Sequence, residues 1–546
     1  MADGRVSGIE IAEQSGADHA IDRVPTAVAA FVGRTLKGPR DRPVVITSFL
    51  EFQHIFGGLW QPSPLSYAIE QFFENGGRTA YVVRVVNGAR PPTITLPTAG
   101  AGVLVLIGLN PGTREFLRAS VDYDGIGENE PDRFNVVIQR VRLAGSELIE
   151  DQEIHRRVSI DADATRFISD VLLESRLMRV TGPIPRDRPS RSARVPNGPA
   201  VGYVSSNADA DDGAPLSDYD VIGSAAESTG IFALKDVAAF NFLCIPPLAR
   251  EQDIGLSTLL VAARFCRDRH AMLIVDPPAS WHNARVALTE LRSWPFRSEN
   301  ALMYYPRLLA VDRLRGRVET FASCGAVAGM MARSDETWPV WSAAEGEEVV
   351  LRSGLRPAVA VTESERQRFA QAGVNTLQSV RAGTRDALSL RTLAAGSSGA
   401  PDWKYLSARR LALFITASLE RGTRWMLFEH NGPVAWRRAE EQVGSFLGNL
   451  HEQGAFAGSR PDESYFVICD DRVNTPESVA DGKFKLLFGY AVTRPGDFHA
   501  MLITHQAGAS RVRHVTPNRS ATSQRRLEWE IETSILRGTS LPSLTF

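Results

Sequence analysis

Residues 65–85 read LSYAIEQFFENGGRTAYVVRV, and the change of periodicity inside this stretch decides the fold. Leu65, Ile69, Phe72 and Phe73 recur at helical spacing, behind Ser63 and a proline at the first helical position, Pro64. Asn75–Gly76–Gly77 ends that helix, and Tyr81–Val86 is a strongly β-prone run. A helix that hands over to a strand through one tight turn is an αβ unit.

Working towards the N-terminus, FLEFQHIFGG (49–58) places Phe49, Phe52 and Phe56 at helical spacing and stops at Gly57–Gly58. Pro43–Thr47 reads as a short strand, and Ala27–Val32 as a small-residue apolar strand ending at Gly33. Residues 21–92 therefore form a compact αβ unit closed by Pro91–Pro92. Residues 1–20 read as an arm. Ile9 and Ile11 alternate with Glu10 between Gly8 and Gly16, a short two-faced strand that needs another sheet to join.

Working towards the C-terminus, residues 93–215 read as an inserted, mostly β domain with its linker. Its strand candidates are Val103–Ile107, Asn135–Val141 and Glu147–Val158, and 181–218 is a Pro-, Gly- and Asp-rich linker or surface loop. Residues 216–400 read as a central α/β domain with alternating strands (239–245, 271–275, 301–305) and helices (256–269, 280–293). Residues 401–506 form a further αβ unit. Asp402 caps a helix with Leu411, Phe414, Ile415 and Leu419 inward, Trp425–Phe428 reads as a strand, and Tyr465–Cys469, Phe484–Val492 and Phe498–His505 close it. In the tail, 507–546, Leu527, Trp529 and Ile531 alternate with Glu528, Glu530 and Glu532, a second candidate exchange strand.

Bulk properties set bounds. At 546 residues the chain is long enough for about two to four domains. Hydrophobic residues make up 43% and charged residues 23%, an ordinary globular mix, and a net charge of −2 lacks the basic excess of a nucleic-acid binder. Cys244, Cys266, Cys324 and Cys469 lie far apart in apolar contexts, as buried reduced thiols do. The opening MADGRVSGIEIAEQSG lacks the pattern of a signal peptide, and no apolar run reaches about 18 residues, so no membrane insertion is expected.

An α/β region invites an enzyme reading. Asp276 follows the strand MLIV, where open sheets place catalytic groups, and His270, His282 and Ser323 lie in the same region. Yet no Gly-x-Ser-x-Gly elbow and no phosphate-binding glycine loop occurs, so no cofactor is expected. No HExxH is present, and His499 and His505, on one strand, would sit about 20 Å apart. The acidic run at 209–212 lacks the spaced ligands of a calcium loop, and no metal is expected.

Several blocks taken in order resemble contractile phage-type tail sheath proteins. They are VPTAVAAFVG (24–33), FLEFQHIFGG (49–58), residues 65–85 and AGMMARSDETWPVWSAAEG (328–346). VNTLQSVRAGTRDALSLRTL (374–393), WKYLSARRLALFITASLERGTRWMLFEHNG (403–432) and the run 454–505 complete the set. SGIEIAE (7–13) is similar to the family's opening strand, without its proline and aromatic ring, and the insert matches no family motif.

The resemblance implies an α/β and α+β multidomain fold. It has a split αβ inner domain from both chain ends (21–92 with 401–506), a central α/β domain subtilisin-like in topology, and the mostly β insert. It implies a structural subunit, not an enzyme, that forms hexameric rings stacked around an inner tube and contracts. The partners implied are other copies of the chain, a tube protein, and baseplate and terminator proteins, in a tail or tail-like particle assembled in a bacterial cytoplasm. Gly8, Ile9, Glu10, Ile11, Ala12, Glu13, Leu527, Glu528, Trp529, Glu530, Ile531 and Glu532 are then the candidate inter-subunit strands. The competing readings are an α/β hydrolase-like enzyme and another tail part, such as a tube or baseplate subunit.

Overall fold

The computed structural model describes residues 20–193, 202–342, 350–352, 354–377, 390–395, 402–506 and 509–515. They fall into two compact units, a larger one drawn from 25–339 and 343–400 and a smaller one from 1–24, 340–342 and 401–546.

The larger unit opens with β1 (Ala29–Gly33), β2 (Val44–Ile46), α1 (Phe49–Phe56), α2 (Pro64–Glu74) and β3 (Ala80–Arg84). Local chemistry sets the helix ends. Ser48 accepts from the Glu51 N–H at the start of α1, Gly57 takes the left-handed conformation at its end (φ 92°), and Pro64 opens α2. β1, AAFVG, is buried at every position. Such a strand needs a hydrogen-bonded neighbour on each edge and cover on each face.

The neighbours are β3 on one side and β11 (Phe242–Cys244) on the other, both parallel, with Ala29 opposite Ala80 and Phe242. The insert between β3 and β11 begins with β4 (Thr93–Pro97), β5 (Val103–Gly108), β6 (Phe116–Asp122), β7 (Arg133–Val141) and β8 (Ile149–Ser159). It ends with α3 (Ile168–Leu172), β9 (Met178–Thr181) and β10 (Val204–Ser205). Its sheets, β4-β5-β9 and β10-β6-β7-β8, share one core that includes Leu96, Leu106, Leu117, Phe134, Ile138 and Met178.

The sequence reading missed β6 because Arg118 interrupts its apolar pattern. That side chain is buried, donating to Gln139 Oε1 (2.8 Å) with its guanidinium over the Tyr203 ring. The described part of 181–218 is also no free linker. Val204 and Ser205 pair with β6, Ser192 accepts from Val121 N–H, and Asp209 binds Thr93 through both N–H and hydroxyl.

After α4 (Asp218–Ile222), the strand–helix alternation read from sequence appears as β11, α5 (Leu256–Asp268), β12 (Met272–Val275), α6 (Ala284–Ser293) and β13 (Ala301–Tyr305). The unit ends with β14 (Leu308–Asp312), β15 (Arg317–Phe321), α7 (Cys324–Thr337), β16 (Arg356–Pro357), α8 (Glu363–Gln371) and β17 (Asn375–Thr376). The main sheet runs β17-β13-β12-β11-β1-β3-β2, parallel except for β2, and β14 lies between β15 and β16 in a smaller antiparallel sheet.

This corrects the expected split domain. Residues 25–92 belong to the sheet of the central α/β region, not with 401–506, because β1 fills the slot between β3 and β11. α2 and α7 cross at a glycine seam. A Cβ on Gly325 would lie 1.9 Å from the Ala68 carbonyl oxygen, and one on Gly329 would lie 2.3 Å from that of Phe72.

The smaller unit holds α9 (Leu406–Gly422), α10 (Pro433–Glu452), α11 (Pro461–Ser464), β18 (Tyr465–Ile468), α12 (Pro476–Ala480), β19 (Phe484–Ala491), β20 (Phe498–Gln506) and β21 (Ala509–Val515). Its antiparallel sheet runs β18-β19-β20-β21. The start of the described chain joins it: Ile21 lies against Gly422, and Val24 N–H donates to Ser418 Oγ.

Three expectations change here. Arg424–Leu427 is a 3-10 turn rather than a strand, since Met426 N–H returns to Thr423 O and Phe428 is 90% exposed. A four-residue apolar run does not by itself distinguish the two. Asp402 does not cap α9, whose first turn is preceded by Tyr405; its carboxylate instead accepts from Thr493 Oγ1 at 2.7 Å. Residues 509–515 are a strand of this unit's own sheet, so the arm does not begin at 507.

Gly325→Ala should lower unfolding free energy by about 3 kcal/mol, because its obstacle is backbone. Gly444→Ala, on α10 with open space around it, should raise stability by up to about 1 kcal/mol. Denaturant midpoints at unchanged slope check both. His505 is buried between Thr423 Oγ1 (2.8 Å) and Ser510 Oγ (2.7 Å), and burial pushes its imidazole from 6.5 down to about 4. Between those values the unfolded chain binds a proton that the folded chain refuses. His505 therefore costs stability as pH falls through that window, up to about 3 kcal/mol. The pH dependence of the midpoint should flatten in His505→Gln by that amount.

Candidate functional site

The carboxyl ends of parallel strands are where an open α/β sheet binds ligands, so Asp276, just beyond β12, is the first candidate. It is fully buried. Its Oδ1 accepts from the Ser323 N–H at 2.7 Å and the Cys324 N–H at 2.8 Å, with the Ser323 hydroxyl at 3.3 Å. Those are N–H groups at the start of α7, which have no partner within the helix. Asp276 therefore caps α7 from a separate strand, an anion at the positive helix end. Burial raises its carboxyl above the ordinary value, while the bonds from Cys324 and the charge of Arg307 pull it down.

The other members of the sequence-level triad do not gather there. His270 precedes β12 and Asp276 follows it, so strand rise alone puts them about 20 Å apart. His282 is exposed, and its Nδ1 lies 2.7 Å from the Ser280 carbonyl oxygen. Ser323 Oγ is buried between Asp276 and the Tyr304 carbonyl, without an imidazole to activate it.

The neighbouring charges bind one another. Arg307 donates to the Pro277 carbonyl at 2.8 Å and pairs with Asp253. Arg250 pairs with Asp312 and Glu319, and the Tyr67 hydroxyl donates to Asp312 at 3.0 Å. The cavity left beside Tyr67, Gln71, Arg250 and Phe321 is about 20 Å³, room for one water and far below a substrate pocket.

The four cysteines are buried, and burial raises the thiols of Cys266, Cys324 and Cys469, which disfavours the nucleophilic thiolate. No cluster of metal-ligating side chains occurs among the described residues. Asp209 and Asp212 clasp Thr93 and Thr113. His499 lies 3.2 Å from Asp402 with its ring tilted against Trp403, apart from the network of His505.

The candidate exchange strands Gly8–Glu13 and Leu527–Glu532 lie outside the described residues. The structure does describe an edge for a strand to join. β21 pairs only with β20 among the described residues, and it presents Arg511 and Arg513 on one exposed face. Thr504, opposite Arg511, is also opposite Lys485, so three cations share that face. Burial and the charges of Lys483 and Arg513 lower the Lys485 pKa. The alternation SRVRHV (510–515) carried this signal in the sequence.

No family model and no curated protein sequence matches the chain. Solved structures do. The sheath tail protein Lin1278 of Listeria innocua aligns over 90% of this chain and 97% of its own, with a TM-score of 0.57 and 12% identity. The sheath of the PVC extracellular contractile injection system, in its contracted state, aligns over 91% and 96%, with a TM-score of 0.51 and 16% identity. The chain has the contractile tail sheath fold. The sheath fold here is carried along nearly the whole chain, and its most enzyme-like corner is occupied by a helix cap.

Asp276→Ala should cost about 2–3 kcal/mol of stability by freeing two buried N–H donors, and Ser323→Ala about 1 kcal/mol or less. Denaturant unfolding measures both. A hydrolytic activity lost in either variant at unchanged fold would overturn the capping role.

Proposed function

We propose that the chain is a structural subunit of a contractile tail sheath. It assembles as stacked hexameric rings around an inner tube and contracts to drive that tube through a target envelope. The observation that carries this reading is the nearly end-to-end likeness to two sheath subunits in fold. The closed carboxyl end of the main sheet supports a structural role over catalysis.

In this reading Gly8–Glu13 and Leu527–Glu532 are inter-subunit strands, and β21 is an edge that accepts one. A strand edge carries unpaired N–H and C=O groups, and a strand from a neighbour satisfies them. Charge supports the C-terminal segment at this edge. An extended segment over 527–532 would put Glu528, Glu530 and Glu532 on one face, and Arg511 and Arg513 share one face of β21. Such connections hold the array together while the bodies repack, and contraction is then a packing change with two stable states, needing no nucleotide. Besides other copies, the partners are the tube, baseplate and terminator proteins of a tail or tail-like particle assembled in a bacterial cytoplasm.

Electron microscopy of the purified full-length chain should show tubes with six-fold cross-section. Removing residues 1–20 or 527–546 should leave a folded protein, by circular dichroism and sizing, that forms no tubes. Ordered tubes from either truncated chain would overturn the arm assignment, and a full-length chain that stays monomeric at every concentration would overturn the sheath assignment.

A further inference from the structure

Two β-hairpins of the larger unit carry exposed apolar side chains with charge of opposite sign. On the first, β14–β15, Val311 and Val318 are cross-strand partners, 61% and 52% exposed, and Leu314 in the turn is 54% exposed. Arg313, Arg315 and Arg317 interleave with them, and residues 313–318 contain no acid. The acids that neutralise these arginines lie inward. Glu70 and Glu74 of α2 hold Arg313 at 2.8 and 2.5 Å, and Glu319 takes Arg315 and Arg317 while its own side chain is only 11% exposed. The outward surface is therefore apolar and presents guanidinium groups whose charge is balanced from within.

On the second hairpin, β7–β8 of the insert, Leu143, Leu148 and Ile149 are 54%, 60% and 47% exposed. Residues 143–154 contain Glu147, Glu150, Asp151 and Glu153 and no basic residue; just before them Arg142 pairs with Glu150 at 3.8 Å and Arg140 with Asp151 at 3.9 Å, and Glu147 is the exposed carboxylate nearest the turn. This hairpin is fixed at its base, where Glu150 meets Lys37 at 2.6 Å, and beside Leu148 and Ile149 lies an open groove of about 430 Å³. Its tip is apolar and carries the exposed carboxylate of Glu147.

Exposed apolar patches rimmed by charge mark contact surfaces, and complementary charge selects the partner. Both halves are present once per chain, and both are exposed in the single chain. We propose that the β14–β15 hairpin of one copy docks on the β7–β8 hairpin of a second copy, arginine against carboxylate and apolar against apolar. The two surfaces differ, so the contact is head-to-tail. It leaves each copy with one surface of each kind free and propagates into an array. The inference rests on the sheath reading for the array and adds a contact between bodies, separate from the terminal strands.

The test is a charge exchange. Arg317→Glu alone and Glu147→Arg alone should each raise the concentration needed for tube formation about tenfold, since like charges then face each other. Both changes in one chain should restore assembly to near the unaltered level. Circular dichroism and unfolding midpoints confirm that each variant folds. In parallel, a Leu314→Cys protein mixed with a Leu148→Cys protein and a mild disulfide-forming oxidant should give a cross-linked dimer, which neither protein forms alone. The chain's own cysteines are buried and give little background. The cross-link is read on tubes and on the concentrated soluble chain. Its absence from both, or an exchange variant that assembles no better than its parents, overturns the contact. An unaltered chain that forms no tubes counts against the sheath reading, whereas normal tubes from both single variants count against this contact alone.

Discussion

The parallel pairing of β1 with β11 is the constraint on which the larger unit depends. It sets Ala29–Phe31 beside Phe242–Cys244 and so closes a loop of more than two hundred residues. The entropic penalty for such a loop grows only logarithmically, about 0.6 kcal/mol per doubling of length, so an entire β domain fits inside it. Its return comes from burial: Phe31, Phe72 and Phe242 are fully covered, each contributing about 1.5–3 kcal/mol. β3 and β11 flank β1, so the insert leaves from one side of that strand and returns on the other.

The same sheet explains why, among the described residues, an enzyme-like topology gathers no catalytic constellation at its carboxyl end. α7 lies against α2 through Gly325 and Gly329, and its first N–H groups point at the end of β12. Asp276 satisfies them. Arg250 and Arg307, which elsewhere would hold an anionic ligand, are neutralised by Asp253, Asp312 and Glu319. Asp276 Oδ1, Arg250 and Arg307 are used to hold elements of the fold together.

Much of the local structure was legible in the sequence. α1, α2 and α9 declare themselves through apolar spacing, and β11, β12 and β13 through apolar runs of strand length. Errors fell where polar residues are buried or where apolar runs are short. Arg118 concealed β6, and the run at 425–428 proved to be a 3-10 turn. Aspartates misled in another way. Asp402 and Asp276 both stand where a cap or a catalytic group is expected, yet their partners, Thr493 and the start of α7, come from elsewhere in the chain.

By itself the sequence determined the types of most elements, the signs and alternation of charge at both chain ends, and the lack of a nucleotide loop or serine elbow. These are local properties, set by residue spacing within one or two turns of chain. Only the tertiary structure decided that residues 25–92 complete the central sheet, that 509–515 stay with their own unit, and that Asp276 caps α7. The physical reason is that backbone pairing and capping use groups every residue carries. Which strand or helix end receives them is settled by burial and shape across the whole chain, and no short window of sequence contains that comparison.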